Sequence, residues 1–290
     1  MRVLVTGAKG QLGFDVVQAL KYRNHEAFGV DIDEMDITDE KSVERVMNMV
    51  IPDAVIHCAA WTAVDLAEDE EKQEMVRMVN VSGTEYIAKA CKMLSSKMVY
   101  ISTDYVFDGQ GMHSWEPDDE RHPLNVYGQT KYEGELAVEK WVDEYFTVRI
   151  AWMFGVNGKN FVKTMLALSK TRKYLSVIND QIGTPTYTYD LSRLLVDIVE
   201  TEKYGKYHAT NEGDYISWYD FAKEIFIQAA VINDTYCGVI VSPVSSNQYP
   251  TKAKRPSNSR LSKQKLIESG FAALPHWKDA LSRYLKEIEV

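Results

Sequence analysis

Cysteine is scarce in this chain. Its 290 residues contain three, Cys58, Cys91 and Cys237, with no CxxC spacing. Neither a disulfide framework nor a cysteine zinc site follows from an odd, scattered set, and a reducing cytosol suits it. Positive charge is also short. There are 33 Lys and Arg against 42 Asp and Glu, a formal net charge of -9, and the densest basic run, Lys252 to Arg255, is brief. A nucleic-acid polyanion is therefore not an expected partner, although a single phosphorylated small molecule is compatible with this balance. No apolar run approaches the roughly 20 residues of a membrane span. The chain enters a strand-like run at Arg2 without a charged, apolar and cleavable leader, so a cytoplasmic protein without membrane contact is expected. There is no internal repeat or low-complexity tract.

Forty-five per cent of the residues are hydrophobic, ample for a buried core in one large domain with a smaller lobe. Short apolar runs at Arg2–Thr6, Ala27–Val30, Ala54–Cys58, Met98–Ser102 and Phe146–Ile150 read as strands. Amphipathic helical patterns at Gln11–Lys21, Glu40–Met49, Glu71–Leu94 and Tyr127–Trp141 alternate with them. This order predicts βαβ units and a Rossmann-type, doubly wound parallel sheet. The regularity fades after about Ile150. Residues 1–150 are assigned to a dinucleotide-binding domain, with roughly 175–205 returning to it through a strand at Leu175–Ile178 and a helix near Asp190–Thr201. Residues 151–290 form mainly a C-terminal substrate-binding lobe.

The first strand runs into TGAKGQLG at 6–13, which places Gly7, Gly10 and Gly13 at the first βα turn with Gln11 and Leu12 between them. Glycines here allow a tight turn and a close backbone approach to a pyrophosphate, and the helix start offers unpaired N–H groups. The second strand leads to Asp31, 18 residues past Gly13, where a carboxylate can accept from an adenosine ribose. Asp31, Asp33 and Asp36 cluster, and no Lys or Arg follows until Lys41. An adenosine 2′-phosphate would meet negative charge, so NADH is preferred over NADPH. The small residues Ala59 and Ala60, beside Trp61, end the third strand and would let a cofactor lie against backbone. Asn80, polar among apolar helix neighbours, either ties helix to loop or stands near the active site.

The fourth strand ends in Ser102, Thr103, Asp104 and Tyr105, at the sheet edge where α/β proteins hold ligands. Downstream, Tyr127 and Lys131 stand four apart, one helical turn on one face. A phenol has a pKa of about 10; a nearby ammonium would favour phenolate and make it a usable acid or base. Thr103 could hold a substrate carbonyl while Tyr127 gives the proton.

With these motifs, and with CAAWTAVDLAE at 58–68, STDYVFDG at 102–109, RIAWMFG at 149–155, GTPTY at 183–187 and RPSNSRLSKQKL at 255–266, the chain resembles the extended short-chain dehydrogenase/reductases over nearly its whole length. The resemblance implies a sugar-nucleotide 4-ketoreductase with Thr103, Tyr127 and Lys131 as its triad and a dTDP-linked keto sugar as its substrate. It implies that Tyr105 and Trp152 frame the sugar with Val64, Asp65 and Asp104 nearby, and that Asp36 and Ile37 lie near the adenine. The loop carrying Arg255, Asn258 and Arg260 would close on the nucleotide side. On residue type alone, Trp152 could equally be core, and the two arginines could be surface charges or diphosphate ligands. Some relatives dimerise through a metal such as Mg2+ held by acids. Asp15 and Asp190 could contribute here, but Tyr189 stands where another acid is expected, so no metal ligands are assigned, and monomer and homodimer both stand. Trp61 replaces a smaller tyrosine. Two other readings stand beside this one: a reductase of a different nucleotide-linked keto sugar, and a non-catalytic dinucleotide-binding regulatory subunit resembling that of methionine adenosyltransferase.

Overall fold

The computed structural model describes residues 1–290 throughout. Five strands come from the first half: β1 (Arg2–Thr6), β2 (Glu26–Val30), β3 (Ala54–His57), β4 (Lys97–Thr103) and β5 (Tyr145–Ile150). Helices α1 (Gln11–Tyr22), α2 (Glu40–Val50), α3 (Glu70–Arg77), α4 (Gly83–Leu94) and α5 (Val126–Trp141) separate them. All pairings in the main sheet are parallel. Both of its faces are covered by helices, which explains why its strands read as nearly continuous apolar runs. Val3, Val5, Ile56 and Val99 pack on α1 from one face. Leu4, Val55, Met98 and Tyr100 face α2, α4 and α5 on the other. The alternation is the two-residue period of a strand.

The sheet runs β2-β1-β3-β4-β5 and ends in a sixth strand, β10 (Gly205–His208). The expected return of the chain to this sheet is met differently from the sequence reading. Helix α7 (Thr188–Val199) does pack on α1 through Leu191, Leu194 and Leu195. The strand-like run near Leu175, β7 (Tyr174–Ile178), instead pairs in parallel with β12 (Ile240–Val244) in the lobe. A four-residue sheet edge, GKYH, carries too little pattern to be read as β10. The expected helix from Glu71 to Leu94 forms, with a π turn at Met78–Ser82 joining α3 to α4.

The lobe has its own core, in which Phe154, Tyr187, Phe221, Trp277 and Tyr284 are buried. It contains α6 (Phe161–Ser169), α8 (Trp218–Ile232) and α10 (Trp277–Glu287), with short strand pairs between them. Strand β1 lies between β2 and β3. The connections therefore leave β1 in opposite directions, which opens a crevice at the carboxyl ends of the strands.

Candidate active site

One cavity of about 1000 Å³ occupies that crevice. At its near end the glycine turn is built backbone against backbone. A Cβ on Gly7, whose φ is +65°, would stand 2.8 Å from the Ala59 nitrogen, and one on Gly13 would stand 2.2 Å from the Gly7 oxygen. Only glycine fits such approaches. Gly10, Gln11, Leu12, Asp31, Asp36, Ile37, Ala59, Ala60, Trp61 and Val64 line the same cavity. The Asp31 carboxylate accepts from the Lys9 and Ile32 backbone N–H groups, each at 2.9 Å.

Here the structure corrects the sequence reading, which placed no cation beside these acids. The Lys9 ammonium lies 2.6 Å from Asp33 and 3.3 Å from Glu34. Thr6 pairs with Val30 across β1 and β2, so the residues just past both strand ends are neighbours although 22 or more positions apart. Scanning downstream from Asp31 could not find Lys9.

At the far end β4 delivers Thr103 and Asp104, and α5 delivers Tyr127 and Lys131. The Asn125 side chain caps α5 by accepting from the Gly128 N–H at 2.7 Å, fixing Tyr127 in the first turn. The Thr103 hydroxyl donates to Asp104 at 3.0 Å and accepts from the Tyr105 N–H at 3.2 Å. Burial pushes the Asp104 carboxyl up to about 6. Burial also pushes the Tyr127 phenol well above its usual range; Asp104 and Tyr105 act in the same direction and the Thr103 hydroxyl opposes them. The expected depression of this phenol by Lys131 is absent from the protein's own groups. Lys131 is itself desolvated. Burial lowers it to about 7, with Glu135 and Cys58 partly offsetting that, and its ammonium stands 4.1 Å over the Tyr100 ring. Low polarity destabilises both charged forms, which outweighs their mutual attraction.

Behind this pair lies a buried network. Glu135, one turn past Lys131, accepts from Ser102 at 2.5 Å, from Arg149 at 2.8 Å through two nitrogens, and from Arg121 at 2.8 Å. It joins α5 to the ends of β4 and β5.

The lobe supplies the remaining wall. Trp152 has a φ of +51°, a strained conformation for a bulky residue that surrounding contacts must hold. Its indole stacks on Trp218 with centroids 3.8 Å apart and rests where Gly183 has no Cβ. Trp218 and Phe161 also line the cavity. Each sits at the first position of a helix, set there by the caps Ser217 and Asn160.

Other expected site residues lie beside the cavity or outside it. Asn80 is buried and ties helix to loop, accepting from Trp61 N–H at 2.8 Å and donating to Thr130 at 3.0 Å. Asp65 holds Arg255 at 2.7 Å, and Arg255 donates to the Tyr105 hydroxyl at 3.2 Å. Asn258 is buried, donating to the Gln110 and His113 carbonyls, and Arg260 donates to Asn258. Of the two acids considered for a metal, Asp190 is occupied by both Arg283 nitrogens and by Asn211. No group of three His, Cys, Asp or Glu side chains is placed to hold an ion. No helix is long and apolar enough to cross a membrane.

A family model described as the RmlD substrate binding domain matches residues 1–290. The chain belongs to the RmlD family. It is 41% identical over 288 residues to the dTDP-4-dehydrorhamnose reductase of Aggregatibacter actinomycetemcomitans, with 97% of each chain covered. A dTDP-4-dehydrorhamnose reductase from Clostridium acetobutylicum has a crystal structure similar to this one at a TM-score of 0.94 and 39% identity, covering 100% of both chains. The Bacillus anthracis dTDP-4-dehydrorhamnose reductase, crystallised in complex with NADP, gives 0.93 at 38% identity and 99% coverage of both.

Within this RmlD-family chain, sequence reasoning missed Lys9, Phe161 and Trp218. The last two had a local signal. SWYD at 217–220 is a capping box, and Asn160 before FVK is a helix start; both put an aromatic residue at a helix mouth.

Proposed function

We propose that this protein is an NAD(P)H-dependent dTDP-4-dehydrorhamnose reductase, converting the C4 ketone of dTDP-4-dehydro-L-rhamnose to the alcohol of dTDP-L-rhamnose. The observation that carries the reading is the arrival of Thr103, Tyr127 and Lys131 in the same cavity as the glycine turn. The names of the relatives support it. The cradle fits a dinucleotide, since Gly7 and Gly13 let the turn pack backbone against backbone and the start of α1, which has no side-chain cap bond, offers its N–H groups to a pyrophosphate.

A reduced nicotinamide held in this cleft supplies the hydride. Tyr127 supplies the proton to the former ketone oxygen, and the upward shift of its phenol keeps that proton in place until it is needed. Thr103 turns its hydroxyl from Asp104 to the same oxygen, stabilising the charge that develops there. Lys131 would hold the dinucleotide's ribose, a polar partner for an ammonium that burial otherwise disfavours. The strained Trp152, seated on Trp218, gives the sugar a flat apolar wall.

Lys9 leaves the expected order of the two cofactors in place. The local balance still favours the ribose hydroxyl of NADH, because Lys9 faces Asp31, Asp33 and Glu34. Yet one ammonium is within reach of a 2′-phosphate, so NADPH is accepted less well rather than refused. The three free cysteines fit a reducing cytoplasm.

Loss of cofactor absorbance with dTDP-4-dehydro-L-rhamnose, against a panel of sugar nucleotides differing in base and keto position, tests the reading. Tyr127→Phe should lose about 10²–10³ in turnover while still binding dinucleotide. Near-native turnover in that variant would remove Tyr127 from the role. Turnover only with another sugar nucleotide would reassign the substrate. Dinucleotide binding without turnover of any sugar would favour the regulatory reading.

A further inference from the structure

The loop between β6 (Met153–Phe154) and α6 belongs to the lobe but grips the glycine turn. The Asn157 amide donates to the Lys9 carbonyl at 2.7 Å and to the Gly10 carbonyl at 3.4 Å. The Asn160 amide donates to the Gln11 side chain at 3.0 Å, to the Gly155 carbonyl at 2.8 Å and to the Tyr284 hydroxyl at 3.0 Å. Gly158 has a φ of +73°, and a Cβ there would stand 3.1 Å from Gln11. The Lys163 ammonium donates to the Gly158 carbonyl at 3.0 Å. Three of these hydrogen bonds tie a short loop to the turn that would receive a diphosphate, and the other three hold the loop to its own lobe.

This loop carries Lys159 into the wall of the cavity. Its neighbour across the turn, Lys9, is occupied by two carboxylates. Lys159 is exposed and is in no ion pair or side-chain hydrogen bond. Helix α1 starts at the same place with Gly10 as its cap, no side-chain cap bond and no acid in its first turn. Its unpaired N–H groups and a dipole equivalent of about half a positive charge are left for an anion. A dinucleotide diphosphate carries two negative charges, which that half charge does not balance. Asp31, Asp33 and Glu34 stand on the adenosine side and worsen the deficit.

We propose that Lys159 closes over the cofactor's diphosphate from the lobe, so that dinucleotide affinity depends on the lobe as well as on the glycine turn. The inference rests on the dinucleotide reading above and adds a residue to it. Asn157 and Asn160 already hold the loop that carries Lys159 against the turn.

Dissociation constants for NADH and NADPH, read from cofactor fluorescence without any sugar present, test it. Lys159→Ala should weaken both cofactors by about tenfold at low salt, as expected for one charge-assisted hydrogen bond partly open to water. The gap should close as salt rises, and Lys159→Arg should restore most of the affinity. Equal affinities for wild type and Lys159→Ala would overturn the proposal. So would a loss confined to NADPH, which would put the lysine at the 2′-phosphate instead. Failure of the wild type to bind either dinucleotide is a separate result, and it would overturn the reductase reading together with this inference.

Discussion

Lys131 and Lys9 line the same cavity, and their surroundings treat the same side chain in opposite ways. Lys131 is 3% exposed, and burial lowers it to about 7. The Lys9 side chain is 57% exposed, and its bond to Asp33 raises it above its ordinary value. Water decides the difference. Where it is excluded, desolvation outweighs an attractive carboxylate, and where it is present an ion pair shifts the equilibrium only modestly. The end that holds Tyr127 and Lys131 therefore has groups whose proton affinity has been reset. The end that holds Lys9 and Asp33 keeps exposed, paired charges.

Glu135 gives the strongest test of the dry end. Four side-chain nitrogen and hydroxyl contacts surround its carboxylate, and both it and Arg149 are fully buried. Glu135→Gln keeps the shape but leaves the guanidinium without its counter-charge, a loss of about 3–5 kcal/mol measurable by urea unfolding. Burial opposes ionisation of Glu135, but Arg149 and the hydrogen bonds win and hold it at about 2. Its folded value is depressed, so its contribution is complete above the unfolded value near 4.5 and is lost as pH falls through the folded one. Wild-type stability should fall in that acid window, and the Gln variant should lack this part of the dependence. A variant as stable as wild type would mean that the network is incidental to the fold.

Lys131 makes an intermediate prediction. If its ammonium holds the cofactor ribose, binding above pH 7 must bring a proton with it. Dinucleotide affinity should then weaken with rising pH, by up to about tenfold per unit, and Lys131→Met should flatten the profile. A wild-type affinity constant between pH 7 and 9 would show that the neutral amine binds as well. The wet end should give the smallest effect. Lys9→Ala should lower the preference for NADPH relative to NADH by roughly three- to tenfold at low salt and little at high salt. Asp33→Asn should shift it the other way. Persistence of either effect at high salt would mean that this end is drier than its exposure indicates.

The two halves of the chain differ in how far they could be read. Val3, Val5 and the strands that follow alternate across a sheet covered on both faces, and that pattern is local. The five strands and the glycine turn were accordingly legible within a residue or two. The strand pairings of the lobe resisted because they are short. Ile182 and Gly183 pair with Ile216 and Ser217, and two residues carry no period. Its pocket residues, Trp218 and Phe161, are placed by helix caps rather than by motif. The site was legible as a set of residue types at βα turns and one helix face. Its electrostatics were not, because neither the fate of the Tyr127 phenol nor that of Lys131 follows from a four-residue spacing.

The residues along the chain determined by themselves that β1 ends in a glycine turn, that Thr103 ends a buried strand, and that Tyr127 and Lys131 share one helix face. Each is a matter of periodicity, backbone freedom or spacing, and acts over a few positions. Tertiary structure decided that Lys9 meets Asp33, that Arg255 is held by Asp65, that Trp152 is strained against Trp218, and that Lys131 loses water and with it much of its proton affinity. Those outcomes depend on which distant segments exclude solvent from one another, and only the folded chain fixes that.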